Sequence, residues 1–245
     1  MKRLIKYLQF IFILFSGYAL CIPAGLAEEK NTSAESVKKI QLNSDQFEID
    51  GKTGIFEQCG HATLTQTGLT LSAQCIIGKQ NKDGTYAYII AKGNPAIFTQ
   101  INQKSKDKLL IKAEIIEYQV PTEQFIISGK SELELTNPQQ DNVLISANNI
   151  KLDNRQPLNR DIDASGSPIQ IEVFKSGKSD LKASSKKLHF NTGTYNLKLS
   201  NNVVANLGPK QISAGVFNYN SKTEVSSFEK HNDKQIEIIQ TKKQP

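Results

Sequence analysis

The sequence predicts an all-β fold in which two antiparallel sheets face each other and are built from stacked repeats. Apolar and polar residues alternate along most of the chain, and no long stretch has helical periodicity. Single glycines recur at spacings of 33, 36 and 37 residues, at Gly60, Gly93, Gly129 and Gly166. Alternation of this kind is typical of strands that bury one face, and a fixed period indicates a repeat architecture.

The first 27 residues are predicted to be a cleaved secretory signal peptide. Lys2, Arg3 and Lys6 form a basic start, residues 8–22 are mostly apolar, and residues 25–27 carry the small residues of a cleavage site. The alternative is an uncleaved membrane anchor. It is disfavoured because the apolar run of 15 residues is shorter than the about 20 that a spanning helix needs.

Removal of this segment lowers the net charge of the chain. It leaves 27 basic and 24 acidic residues, so the net charge falls from +6 to +3. Arg155 and Arg160 are the only arginines that remain, and no basic run is interleaved with aromatic residues. Nucleic acid is therefore not an expected partner, whereas a mild excess of lysine suits a ligand that carries phosphate.

A polar lead, residues 28–39, precedes the repeats, which are predicted to span residues 40–228 in about five copies. The glycine phrase of each copy is followed by a strand centred on a small pair such as Ser72-Ala73. Turn signals between these phrases predict about four short strands in each copy. Five copies would form a sandwich about 50 Å long at the usual strand spacing. Residues 229–245 form a polar tail with one short strand pattern at residues 236–239.

The two ends of such a stack are open strand edges. Edges are normally charged or capped, because unpaired backbone groups recruit other chains. Residues 40–42 at one end and residues 211–219 at the other have ordinary pairing sequences instead. The ends are therefore predicted to receive partners.

Cys59 and Cys75 remain after removal of the signal, and exported proteins often pair such cysteines. The segment from Thr65 to Leu69 resembles a three-residue hairpin loop with Gly68 in the left-handed position. If Thr65 faces Leu69, then Cys59 faces Cys75, which predicts a cross-strand disulfide that contributes about 3 kcal/mol. Two unpaired cysteines are the alternative, because a one-residue bulge would shift the register.

No catalytic residue, cofactor or metal site is predicted. His61, His189 and His231 lie far apart in the sequence and lack the spacing of metal ligands. Asp161 and Asp163 alternate on one strand face, where two solvent-exposed carboxylates are the simpler interpretation. The repeated apolar interior is the main chemical feature that the chain offers. The alternating phrase around residue 111 predicts a lining made of Leu109, Ile111, Ala113 and Ile115.

Residues 40–136 resemble the OstA-like domain of the LptA family of periplasmic lipopolysaccharide transport proteins. The resemblance rests on the order and spacing of IQLNSD at 40–45, GHA at 60–62, LTQ at 64–66, LTLSA at 69–73 and GNPAIFTQ at 93–100. It implies a twisted, half-open β-jellyroll in the periplasm. It also implies a non-enzymatic role, which is the transport of lipopolysaccharide from the inner to the outer membrane.

The resemblance also implies positions that face the lipid. These are Ile40 and Leu42 in the first strand, Phe98, and Val120, to which the alternating pattern adds Ile111. Lipid A acyl chains would lie against these residues, with the sugars and phosphates outside.

The implied partners are lipopolysaccharide, an LptC-like inner-membrane protein at the N-terminal edge and an LptD-like outer-membrane translocon at the C-terminal edge. A second copy of the chain, stacked head to tail, is a further expected partner. Two alternatives stay open: an LptC-like component that keeps a membrane anchor, and a structural repeat protein that binds no lipid.

Overall fold

The computed structural model describes residues 41–139, 141–230 and 235–240, which form one antiparallel sheet of fourteen strands. The predicted signal peptide, the polar lead and Ile40 lie outside the described residues. The strands are β1 (Gln41–Asn43), β2 (Gln46–Asp50), β3 (Ile55–Gln66), β4 (Leu69–Gln80), β5 (Tyr86–Ile101), β6 (Lys108–Gln119), β7 (Gln124–Thr136), β8 (Asn142–Asp153), β9 (Asp161–Lys175), β10 (Lys178–Asn191), β11 (Asn196–Leu207), β12 (Lys210–Asn220), β13 (Val225–Glu229) and β14 (Glu237–Gln240). One 3-10 helix, Val120–Thr122, joins β6 to β7. Within the described residues no helix has the length and apolarity needed to cross a membrane.

Strands β3 to β12 are 11 to 16 residues long and pair in chain order, so each predicted repeat is one hairpin of two long strands. The glycine phrase is a bulge near the middle of the first strand of each hairpin. Gly60 and His61, for example, have φ angles of 76° and 49°, and the register shifts there. In the last hairpin Asn201 and Asn202 take the same place. The prediction of four short strands was wrong because a bulge bends a strand without ending it.

The bulges divide the sheet into two halves that face each other. Half-sheet A is the part that begins with β2, includes residues 55–59 of β3 and ends with β13. Half-sheet B begins with β1, includes residues 62–66 of β3 and ends with β14. The ring centroids of Phe98 in half-sheet B and Phe125 in half-sheet A lie 4.8 Å apart, so the halves are in contact. The all-β prediction with two facing layers is confirmed, and both layers belong to one hydrogen-bonded sheet.

The C-terminal end differs from the prediction. Residues 211–219 lie in β12, which is not an edge, because β13 pairs with one part of it and β14 with the other. The short strand pattern of the tail forms β14. The edges at this end are therefore β13 and β14.

In the first hairpin the two cysteines face each other as predicted, but the turn and the register differ from the prediction. Its turn contains two residues rather than three, so Thr65 faces Thr70. The bulge that begins at Gly60 then moves the register by one, and Cys59 faces Cys75. The two sulfur atoms lie 2.09 Å apart in a disulfide bond.

Replacement of both Cys59 and Cys75 with serine is expected to lower the free energy of unfolding by about 3 kcal/mol. The reason is that the bond closes a short loop, between residues 16 apart, in the unfolded chain. Urea denaturation of the oxidised wild type and of the variant measures the difference. Dithiothreitol should move the wild-type midpoint to that of the variant, and a midpoint that is insensitive to dithiothreitol would contradict the prediction.

Candidate functional site

One apolar row crosses the inner face of half-sheet B from the first strand to the last. Each member faces the next directly across a strand pair. The row consists of Leu42, Leu64, Leu71, Phe98, Ile111, Leu133, Ile145, Ile171, Ala183, Ala205, Ile212 and Ile238. The structure thus brings three sequence-predicted residues, Leu42, Phe98 and Ile111, into one line.

A second row crosses the inner face of half-sheet A in the same way. Its members are Phe47, Gln58, Ile76, Ala91, Ile116, Ile127, Ile150, Ala164, Leu188, Leu199, Phe217 and Phe228. Gln58 is the one polar side chain among them. The two rows together form an apolar interior that runs the length of the stack.

The interior is closed in its middle. Ile111 and Leu133 have no exposed surface, and Phe98 is 4% exposed. Because these side chains fill the space between the half-sheets, the structure represents a state in which the interior is packed against itself.

Two residues of the predicted lining lie elsewhere. Ile115 faces outward and is 38% exposed, because the register shift between Lys112 and Ile115 reverses the alternation. Its neighbour Ile116 takes the inward position. Val120 lies in the 3-10 helix at the end of β6, half-buried and outside both rows.

The half-sheets are staggered along the stack. Phe98 of β5 contacts Phe125 of β7, and the hydroxyl of Tyr219 on β12 donates a hydrogen bond to the carboxylate of Asp180 on β10. In both contacts a strand of half-sheet B faces a strand of half-sheet A that comes later in the chain. Half-sheet A therefore projects at the N-terminal end, and half-sheet B projects at the C-terminal end.

The projecting parts leave apolar inner surface uncovered. At the N-terminal end Phe47 and Ile49 of β2 are 54% and 53% exposed. At the C-terminal end Ile238 of β14 is 59% exposed. The interior is thus sealed in the middle and open at both ends.

Opposite the bulges, two rows of hairpin turns face each other across a gap that we call the mouth. Half-sheet A contributes the turns at residues 51–54, 81–85, 120–123, 154–160, 192–195 and 221–224. Half-sheet B contributes those at residues 67–68, 102–107, 137–139, 176–177 and 208–209. Polar contacts cross the mouth. Lys175 Nζ lies 2.5 Å from Glu224 Oε1, and an Nη of Arg160 lies 3.3 Å from Gln100 Oε1.

Burial shifts the pKa values of three side chains near the mouth. It raises the pKa of Tyr118 to about 12, with a smaller effect from the charge of Glu123. Burial, together with the hydrogen bond to Asp180, also raises the pKa of Tyr219. The pKa of Arg160 falls to about 10 because its guanidinium is buried. These are the directions expected where burial disfavours the charged form of a side chain.

Gln58 is buried without a hydrogen-bond partner for either amide atom. It lies between Phe47 and Ile76 on the inner face of half-sheet A. An unpaired buried polar group keeps its desolvation cost. Gln58→Leu is therefore expected to raise the free energy of unfolding by about 1–3 kcal/mol, measured by urea denaturation.

Gln80 gives a matched control for this substitution. Its Nε2 donates a hydrogen bond to the carbonyl oxygen of Gly84 at 2.9 Å, so Gln80→Leu is expected to lower stability. Equal destabilisation by the two substitutions would show that the Gln58 amide has partners in solution.

A polar pair of side chains lies on the outer face of half-sheet A. His189 Nδ1 lies 2.9 Å from Asp163 Oδ1, and both side chains are exposed. Among the described residues, Glu57, Cys59 and Cys75 are grouped closely enough to hold an ion, but the two cysteines are bonded to each other.

Part of this chain is similar to known lipopolysaccharide transport proteins. Residues 41–157 match the family model described as LptA/(LptD N-terminal domain) LPS transport protein. The lipopolysaccharide export system protein LptH of Pseudomonas aeruginosa is 22% identical over 131 residues, which are 54% of this chain and 71% of that protein. The crystal structure of LptH, titled the LptA homologous periplasmic component of the conserved lipopolysaccharide transport device, aligns with a TM-score of 0.46 and 20% identity over 53% of this chain and 84% of that one. Residues 41–157 of this chain, just under half of its length, are thus similar to the proteins of this lipopolysaccharide transport family.

Proposed function

We propose that this chain is a non-enzymatic periplasmic protein that binds lipopolysaccharide and bridges the inner and outer membranes. The observation that carries the proposal is the apolar interior. Its row from Leu42 to Ile238 crosses every strand of half-sheet B, and the interior is uncovered at Phe47 at one end of the stack and at Ile238 at the other. A core that only stabilised the fold would need no uncovered ends.

The energetics of an acyl chain favour such a lining. At about 0.8 kcal/mol per CH₂, a chain of a dozen carbons costs about 10 kcal/mol to expose to water. Contact with the inner faces of the half-sheets removes that cost. Because the interior is packed in the closed state, the half-sheets must part at the mouth, and the bulges are the natural hinge.

The stagger supports end-to-end assembly. The projecting inner face of half-sheet A at the N-terminal end, with Phe47 and Ile49, matches the projecting half-sheet B of another copy, with Ile238. The edge strands β1 and β14 could continue the backbone pairing. In the bridge, the N-terminal end would receive an LptC-like protein and the C-terminal end an LptD-like translocon. Either end could instead join a second copy.

Phe47→Asp is expected to abolish head-to-tail assembly of the purified chain. The substitution places a charge on an apolar surface that the neighbouring copy would cover. Sedimentation velocity over a range of concentrations measures the effect. Leu158→Asp is the control, because Leu158 is 62% exposed in a turn away from the ends. A wild-type chain that stays monomeric at every concentration would contradict self-assembly.

The test of the lipid-binding role is photo-crosslinking in cells. A photoreactive amino acid at Leu42 or Phe98 is expected to yield lipopolysaccharide adducts, because both positions lie in the inner row. The same amino acid at Ile126, which is 44% exposed, reports background labelling. Absence of adducts from both inner positions in folded protein would contradict the proposal.

The same cells can separate the LptC-like alternative from a cleaved periplasmic protein. The intact mass of the exported chain is expected to correspond to cleavage before Glu28. A mass that includes the first 27 residues would favour the anchored alternative.

A further inference from the structure

Arg160 is a buried cation at the mouth of the interior. The residue is 6% exposed, its Nε donates a hydrogen bond to Asn154 Oδ1 at 2.8 Å, and an Nη donates to Gln100 Oε1 at 3.3 Å. Asn154 lies at the rim of half-sheet A, whereas Gln100 lies on the inner face of half-sheet B. The guanidinium therefore occupies the gap through which a ligand would enter.

These partners are neutral amides. Within the described residues no carboxylate lies within 4.0 Å of the Arg160 guanidinium, and Asp107 attracts it from farther away. A buried charge without a paired counter-charge is costly. Burial dominates over the attraction of Asp107, so the pKa of Arg160 is lowered. Arg155 differs, because it is exposed and paired with Asp153 at 2.5 Å.

Thr192 holds the Arg160 backbone in place, while Asn154 and Gln100 hold its side chain. Its backbone N–H donates to Thr192 Oγ1 at 2.8 Å, and its carbonyl accepts from the backbone N–H of Thr192 at 2.9 Å. The nearby turn at residues 102–107 carries the exposed Lys104 and Lys106. The mouth thus presents a fixed guanidinium beside a basic turn.

We propose that Arg160 is an anion-binding residue that receives a phosphate of the lipid headgroup while the acyl chains occupy the interior. The inference rests on the proposed function, because it assigns the position of the headgroup at the same site. A guanidinium offers two parallel donors to phosphate oxygens, and an anion supplies the counter-charge that Arg160 lacks. Binding of phosphate competes with the Gln100 contact, so headgroup binding loosens a contact across the mouth.

The test compares phosphorylated lipid A with its enzymatically dephosphorylated form, using the full exported chain. Arg160→Gln is expected to weaken binding of the phosphorylated lipid about tenfold or more and to leave the dephosphorylated lipid unaffected. Arg160→Lys keeps the charge and should recover part of the affinity. Lys112→Gln, which removes an exposed charge paired with Glu132 on the outer face, is the control and should bind both lipids as the wild type does.

The other outcomes are distinct. Equal losses for both lipids with Arg160→Gln would show that Arg160 only bridges Asn154 and Gln100, and would overturn the inference. Binding of inorganic phosphate alone as tightly as the phosphorylated lipid would assign the site to free phosphate, which also overturns it. A wild-type chain that binds neither lipid would contradict the proposed function itself.

Discussion

Bridging the two rims of the mouth is expected to abolish most lipopolysaccharide binding. The Lys175→Cys/Glu224→Cys double variant, treated with a short bis-maleimide, would link the rims where Lys175 and Glu224 now form an ion pair at 2.5 Å. The closed interior is packed, so acyl chains can enter only if the half-sheets separate. Binding measured before and after bridging reports whether separation is required.

The native cysteines do not interfere with this experiment, because Cys59 and Cys75 are bonded to each other. The control is the same double variant capped with a mono-maleimide, which should bind lipopolysaccharide as the wild type does. Undiminished binding by the bridged protein would contradict entry through the mouth.

Ile111→Asp is expected to prevent stable folding, with a loss of several kcal/mol in the free energy of unfolding. Ile111 has no exposed surface and lies in the middle of the apolar row, so the new carboxylate would be buried without a partner. Circular dichroism and urea denaturation of the purified variant measure the loss.

Ile115→Asp is the matched control, since Ile115 lies on the same strand and faces outward. It is expected to change stability by less than about 1 kcal/mol, as a surface substitution does. Similar losses for the two variants would show that the register on either side of the bulge is assigned wrongly.

Ile111 and Ile115 show which features of the fold the sequence predicts and which it does not. Period-two alternation correctly predicts strands around residue 111, because it depends on neighbours along the chain. It fails at Ile115, because the register of β6 shifts between Lys112 and Ile115 and the inward position passes to Ile116. The bulge glycines are visible in the sequence, but a glycine followed by a polar residue is equally typical of a turn. Only the structure shows that each strand continues through its bulge.

The mouth could not be predicted for a different reason. Arg160 and Gln100 are 60 residues apart, and their contact depends on the stagger of two half-sheets. The composition did single out Arg160 as a candidate, because it is one of only two arginines after residue 27. Gln58 could also have been noticed in the sequence, because it is a polar residue at an inward position of an alternating strand.

The most direct test of lipid binding between the half-sheets uses the absence of tryptophan from the chain. Phe98→Trp would place a single indole in the inner row, whereas Ile126→Trp would place it on the outer face. Lipopolysaccharide with brominated acyl chains quenches indole fluorescence on contact. We predict strong quenching of the indole at position 98 and little at position 126. Equal quenching at the two positions, or quenching only at position 126, would contradict the binding of acyl chains in the interior.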